Sequence, residues 1–252
     1  MADCKFLEKL ATAIEESEAE SPFHVLSKER FDQMSSEELQ LLFRKEHIVV
    51  KGVAHTKMAF NRRGLETLGS WEQPRTFQGI SFLIINIFHI SMVLDLSKEP
   101  NEQGFGSRVK TGTLKDLLWH AQQPAGRILN GLEFPSPIGC SNPDQQLSSD
   151  DAAWVQTTFR PFCDRETQKP LSDTRWGLAA TGGAISYWHV DSDGYGTYVD
   201  VQVGIKWWVV ATPKAQGPKF STKSIYATFD PQEVNSDIWD VQAVLLRPGD
   251  RL

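Results

Sequence analysis

TGGAISYWHVDSDGYGTYVDVQVGIKWWVVATP, Thr181 to Pro213, reads as two strands joined by a turn. Ala184 to Val190 and Tyr198 to Ala211 are rich in β-branched and aromatic residues, and Asp193-Gly194 between them supplies turn chemistry. On a strand, positions i and i+2 point to the same face, so His189 and Asp191 converge on one point. An imidazole and a carboxylate side by side suit a divalent metal. Two histidines and one carboxylate on a common face make the non-haem iron(II) site, with other positions left for cosubstrate and dioxygen. Alone, the His-x-Asp pair is a weak signal, because any surface strand can carry one. Asp193 competes with Asp191 but falls where the chain already enters the turn.

Lys206 lies 17 residues after His189 in the second apolar run. Strict alternation puts Val199, Val201, Val203, Ile205, Trp207 and Val209 on one face. Tyr198, Asp200, Gln202, Gly204, Lys206 and Trp208 then share the other. Two arrangements satisfy this pattern. Either the second face meets solvent and Lys206 is an ordinary surface lysine, or it lines a cavity. A lysine in a cavity is costly unless an anion neutralises it. A dicarboxylic 2-oxo acid would do so with its distal carboxylate while its oxo-acid end chelates a metal, and Gly204 would leave room beside Lys206.

The flanks extend the pattern. Trp176 to Ala180 and Val241 to Leu246 are strand-like, whereas the first third of the chain is mostly helical. Cys4 to Ala19 carries Phe6, Leu7, Leu10 and Ile14 on one side, and Ser35-Ser36-Glu37-Glu38 offers a cap with acids in the first turn of a helix through Leu39, Leu42 and Phe43. HIVVKGV, His47 to Val53, is a short strand ended by Gly52, and Thr113 to Gln122 is a helix capped by Thr113. Pro135 to Asp150 reads as loop. Helices first and strands afterwards imply a mainly β protein with a helical N-terminal part packed on a sandwich or jelly roll. The expected division is a helical or mixed part over residues 1–125 and a β core over residues 126–252.

The run Thr181 to Pro213 resembles the JmjC pattern of the cupin oxygenases, a His-x-Asp metal motif followed by a Gly-x-Lys-x-Trp strand that ends near proline. WGLAATGG upstream fits the strand entering that motif, and LLRPGDRL at the end resembles the Pro-Gly-Asp turn before the last cupin strand, so the likeness spans Trp176 to Leu252. It implies a double-stranded β-helix and a dioxygenase that uses Fe(II) and 2-oxoglutarate to hydroxylate or demethylate a substrate. His189 and Asp191 match the first two iron ligands, and Lys206 matches the residue that binds the distal carboxylate of 2-oxoglutarate. Ser186 occupies a position where a hydroxyl often lies near the cosubstrate. Thr197 and Trp208 are further cavity-lining candidates, or else turn and core residues. Substrates in this family are often protein side chains, which makes a protein or peptide the expected partner.

One feature departs from the family. The second histidine belongs on the strand after the turn, here Pro248-Gly249-Asp250, yet no histidine follows His189. By the resemblance that ligand would lie beyond Leu252, and the β core would lack its last strands. The 252-residue chain is therefore expected to show little or no turnover by itself. The competing functional class is a non-catalytic cupin module, a binding or scaffold domain with an incomplete metal site.

Composition narrows the remaining classes. A net charge of −6, with cationic runs no longer than pairs such as Arg62-Arg63, argues against nucleic-acid binding. Cys4, Cys140 and Cys163 form neither a disulfide framework nor a zinc motif. The charged start, Met1 to Glu20, is not a secretory signal, so an intracellular setting, nucleus or cytoplasm, is expected. Thr76 to Leu94 carries no formal charge, but Gln78, Gly79, Asn86 and His89 interrupt it. It is expected to be a buried strand or helix rather than a membrane span.

Overall fold

The computed structural model describes residues 2–53, 58–74, 92–95, 112–135, 176–189, 197–214, 230 and 233–252. The chain forms two compact units. One combines Met1–Lys57 with Ser186–Leu252, and the other is Met58–Ile185.

The first unit opens with helix α1, Ala2–Glu15. Phe6 and Ala13 are buried and Leu10 is partly buried along one stripe, whereas Leu7, expected on that face, is exposed. The helix ends earlier than the apolar pattern suggested. Glu15, Glu16 and Glu18 fall at its C-terminal end, where acids oppose the helix dipole and no basic residue offsets them. Strand β1, Phe23–Ser27, runs parallel to β2, His47–Lys51, with Val25 opposite Val49. A parallel pair needs a crossover, which α2 (Lys28–Gln33) and α3 (Ser36–Phe43) supply. The expected cap of α3 is a full capping box. Ser35 Oγ accepts the Glu38 amide at 3.2 Å while the Glu38 carboxylate accepts the Ser35 amide at 2.7 Å. The Ser35 amide, together with the Ser35 hydroxyl donating at 2.9 Å, holds the Glu38 carboxyl below the usual carboxylate range. Val49 and Val50, neighbours on opposite faces of β2, are both buried, so that strand is covered on both sides.

The C-terminal residues complete this layer. The amides of Val50 and Arg251 donate to each other's carbonyls at 2.8 and 3.0 Å. Val199 and Leu252 exchange a similar pair at 2.8 and 3.0 Å. Residues 249–252 thus lie antiparallel between β2 and the segment through Asp200. The Pro248-Gly249-Asp250 turn that feeds them is closed by the Asp250 carboxylate, which accepts the Arg247 amide at 2.9 Å, and Gly249 takes φ +90°. Strands β6, Lys206–Pro213, and β7, Trp239–Leu246, form an antiparallel pair with Lys206 opposite Leu246 and Trp208 opposite Val244.

The expected uninterrupted strand from Tyr198 to Ala211 is therefore broken. Residues 202–205 leave the ladder, Gly204 sits at φ +79°, and β6 begins only at Lys206. Alternation changes phase across this break. Val201 and Trp208, an odd and an even position, both pack on the cluster of Val49 and Leu246, while Ile205 and Trp207 are 69% and 63% exposed. The single apolar face from Val199 to Val209 does not exist. Among the described residues, no atom beyond its own chain neighbours lies within 4 Å of where a Cβ on Gly204 would stand. Gly204→Ala should then cost only its left-handed backbone, about 1–2 kcal/mol by urea denaturation, and Gly204→Asn less.

In the second unit, α4 (Arg62–Leu65) runs into a 3-10 turn (Glu66–Leu68), and α5 (Leu114–Gln122) begins at the expected Thr113 cap, which forms a capping box with Asp116. Strands β3 (Met92–Asp95), β4 (Leu129–Pro135) and β5 (Trp176–Ala180) make an antiparallel sheet in that order. Leu65, Leu68, Leu114, Leu117, Leu129, Phe134 and Ala179 form its core. The β4–β5 register shifts between Gly131 and Phe134, and a Cβ on Gly131 would stand 2.5 Å from the Phe134 ring. Of the uncharged stretch Thr76 to Leu94, only Met92–Leu94 lies among the described residues, in β3. Of the expected loop Pro135 to Asp150, only Pro135 does, at the end of β4. Among the described residues no helix is long and apolar enough to cross a membrane.

Candidate functional site

Ser186, His189, Thr197 and Lys206 all belong to the first unit, whereas Asp191 and Asp193 lie outside the described residues. The strand expected over Ala184 to Val190 is not formed over its described residues, 184–189. Residues 184–189 are irregular, with a bend at Trp188. The cause is visible in the packing. Tyr187 and Trp188 are consecutive, yet both set their rings edge-on to Phe6 of α1, with centroids 5.1 and 6.4 Å away. A regular strand would send neighbouring side chains to opposite faces, so the backbone bends to bring both to one helix. The same-face argument for His189 and Asp191 therefore loses its strand geometry on the His189 side.

His189 is exposed, and its Nδ1 lies 2.7 Å from the carbonyl oxygen of Tyr187. A carbonyl only accepts, so Nδ1 carries the proton and the lone pair of the neutral ring resides on Nε2. Metal-binding histidines are oriented in this way, with one nitrogen donating to a carbonyl and the other presented to the metal. The residue thus fits a divalent cation by tautomer. Ser186, two residues before the bend, is exposed, and Thr197 is partly buried. Among the described residues no three His, Cys, Asp or Glu side chains gather into a metal-sized cluster.

Lys206 is partly buried at the first position of β6, opposite the fully buried Leu246. Its face is the one that Trp208 shares, and the ammonium sits 5.0 Å from the centroid of the Trp208 ring. Indole is the best aromatic face for a cation, and the contact offsets part of the desolvation of a half-covered amine. Trp208 packs in turn against the cluster of Val49, Val201 and Leu246. Asp200, expected beside Lys206 on the polar face, is engaged elsewhere. Its two carboxylate oxygens accept Nε and Nη2 of Arg251 at 2.6 and 2.8 Å. Nothing in the spacing of these two residues announces the pair, because 51 positions separate them.

The other histidines among the described residues have local roles. His24 Nδ1 is 2.9 Å from the Glu46 carboxylate, the His47 ring lies tilted against Phe23 at 5.8 Å, and His120 Nδ1 accepts the Arg127 amide at 3.2 Å. His55 and His89 lie outside the described residues.

No family model, no curated protein and no solved structure matches the chain.

Proposed function

We propose that the chain is a JmjC-type cupin oxygenase dependent on Fe(II) and 2-oxoglutarate, acting on a protein or peptide side chain as a hydroxylase or demethylase. The observation that carries this reading is Lys206, partly buried on the face it shares with Trp208, in the Gly-x-Lys-x-Trp run that follows the His189-x-Asp191 motif. In this reading His189 and Asp191 hold the metal through imidazole Nε2 and a carboxylate. Lys206 donates a charge-assisted hydrogen bond to the distal carboxylate of 2-oxoglutarate, and Ser186 and Thr197 offer hydroxyls to the cosubstrate. Bound iron would supply the oxidative chemistry: one dioxygen and one 2-oxoglutarate convert a substrate C–H bond to C–OH, with succinate and carbon dioxide as co-products. The double-stranded β-helix, an intracellular location and the absence of nucleic-acid binding belong to the same proposal.

A second reading, a non-catalytic cupin module, draws support from the irregular backbone of residues 184–189, which does not impose the strand geometry a fixed ligand pair wants. Calorimetric titration with Mn(II) and N-oxalylglycine separates the two. The oxygenase reading expects saturable binding that falls by about tenfold or more, the equivalent of about 1.4 kcal/mol, in both His189→Ala and Lys206→Ala. Binding that is absent from the wild type, or indifferent to both substitutions, would favour the scaffold.

A further inference from the structure

We infer that the face of the β3–β4–β5 sheet turned away from its core binds an uncharged carboxamide carried on an apolar body, with Asn130 as the residue that recognises the amide. The site belongs to the second unit and goes beyond the metal reading, on which it does not depend. Asn130 lies in β4, the central strand, directly opposite Ala180 of β5. Directly opposed residues share a face, and so do alternate residues of one strand. Asn130, Ala180, Leu178 and Trp176 therefore stand on one side, while Leu129 and Ala179 belong to the core on the other. These four side chains carry no charge. Leu178 and Trp176 are 45% and 43% exposed, whereas Asn130 is only 6% exposed. Its carboxamide enters no hydrogen bond among the described residues. Among those residues the sealed polar atom without a partner is Ser17 Oγ, so the Asn130 amide is still reachable. An unpaired amide in such surroundings costs free energy that a leucine of similar volume would not. A ligand removes that cost by presenting a donor and an acceptor together, as an amide does and a carboxylate, with acceptors only, does not. Leu178 and Trp176 lie roughly 7 and 13 Å along the strand from the level of Ala180. That spacing suits an elongated apolar body behind the amide, ending in a ring that lies against the indole.

The experiment uses the 252-residue chain labelled with ¹⁵N. Cinnamamide, an aryl carboxamide, and cinnamate, its carboxylate counterpart of the same shape, are titrated separately while NMR follows the Asn130 side-chain amide and the Trp176 indole N–H. Cinnamamide is expected to shift both signals saturably, and cinnamate to bind at least roughly tenfold more weakly, because its charge meets an uncharged face and it offers no donor. Equal affinity for the two probes, or no saturable shift with cinnamamide, would overturn the inference on the wild type alone. Asn130→Leu is expected to weaken cinnamamide by roughly tenfold while its midpoint in urea is no lower than that of the wild type, since the amide it removes has nothing to lose inside the protein. A markedly lower midpoint would mean that Asn130 holds the fold together rather than a ligand, and would also overturn the inference. None of these outcomes bears on binding of Mn(II) or N-oxalylglycine, so the oxygenase reading stands or falls separately.

Discussion

Asp200→Ala is expected to lower the free energy of unfolding by about 3–5 kcal/mol, because it takes a two-pronged carboxylate away from a buried guanidinium. Arg251 has only 6% of its side chain exposed, and Asp200 has 21%. Both carboxylate oxygens are engaged, at 2.6 and 2.8 Å, in the two-pronged geometry that a guanidinium matches best. An exposed pair of this kind would be worth about 0–1 kcal/mol, so burial sets the magnitude. The Arg251 guanidinium also lies 5.5 Å from the Tyr198 ring, and its backbone bridges Val50 on one side and Asp200 on the other. Loss of the carboxylate therefore acts where three segments of the first unit meet. The converse follows from the same balance. Desolvation consumes most of what a buried pair gains, so replacing both members with apolar residues, Asp200→Leu with Arg251→Met, should restore most of the loss. Urea denaturation of the wild type, both single variants and the double variant checks this. A change within about 1 kcal/mol for Asp200→Ala would mean that water screens the pair.

Leu246→Ala should be comparably severe, about 2–5 kcal/mol, through the lost apolar transfer and the cavity left behind. Leu246 is fully buried at 0% exposure and packs with Val49 of β2 and Val201, joining β7 to the C-terminal layer. It also stands opposite Lys206, so the cavity would open beneath the residues proposed to hold the cosubstrate. Leu246→Met preserves volume and should cost less than about 1.5 kcal/mol. If urea denaturation gave the alanine and methionine variants equal stability, the tight cluster around Leu246 would be wrong. Against a total stability of about 5–15 kcal/mol typical of folded domains, either Asp200→Ala or Leu246→Ala removes a large share.

Local signals were the legible ones. Ser35 with Glu38, Thr113 with Asp116, and the β-branched run ended by Gly52 all act within a few residues, and the helices and strand they announce are where sequence places them. Trp176–Ala180 and Trp239–Leu246 are strands for the same reason, although β7 begins two residues before Val241. Errors appear where a distant partner outweighs the local pattern. Phe6 gathers Tyr187 and Trp188 to one side and breaks the strand expected beneath His189. The C-terminal segment pairs with residues 199–201 and the chain turns at Gly204, so the alternation read through Lys206 changes phase midway. In the candidate site, the motif spacing of His189, Asp191 and Lys206 is visible in one dimension, but the ring beneath the Lys206 ammonium and the tautomer of His189 are not.

Residue order alone was enough for the capped helices and the short strands, since each depends on neighbours a few positions away. The Asp200–Arg251 pair, the seating of Trp208 on Val49 and Leu246, and the bend at Trp188 needed the folded chain. Such contacts join residues tens to hundreds of positions apart. Their energies exceed the few tenths of a kcal/mol to about 1 kcal/mol by which local propensities differ, and so they override them.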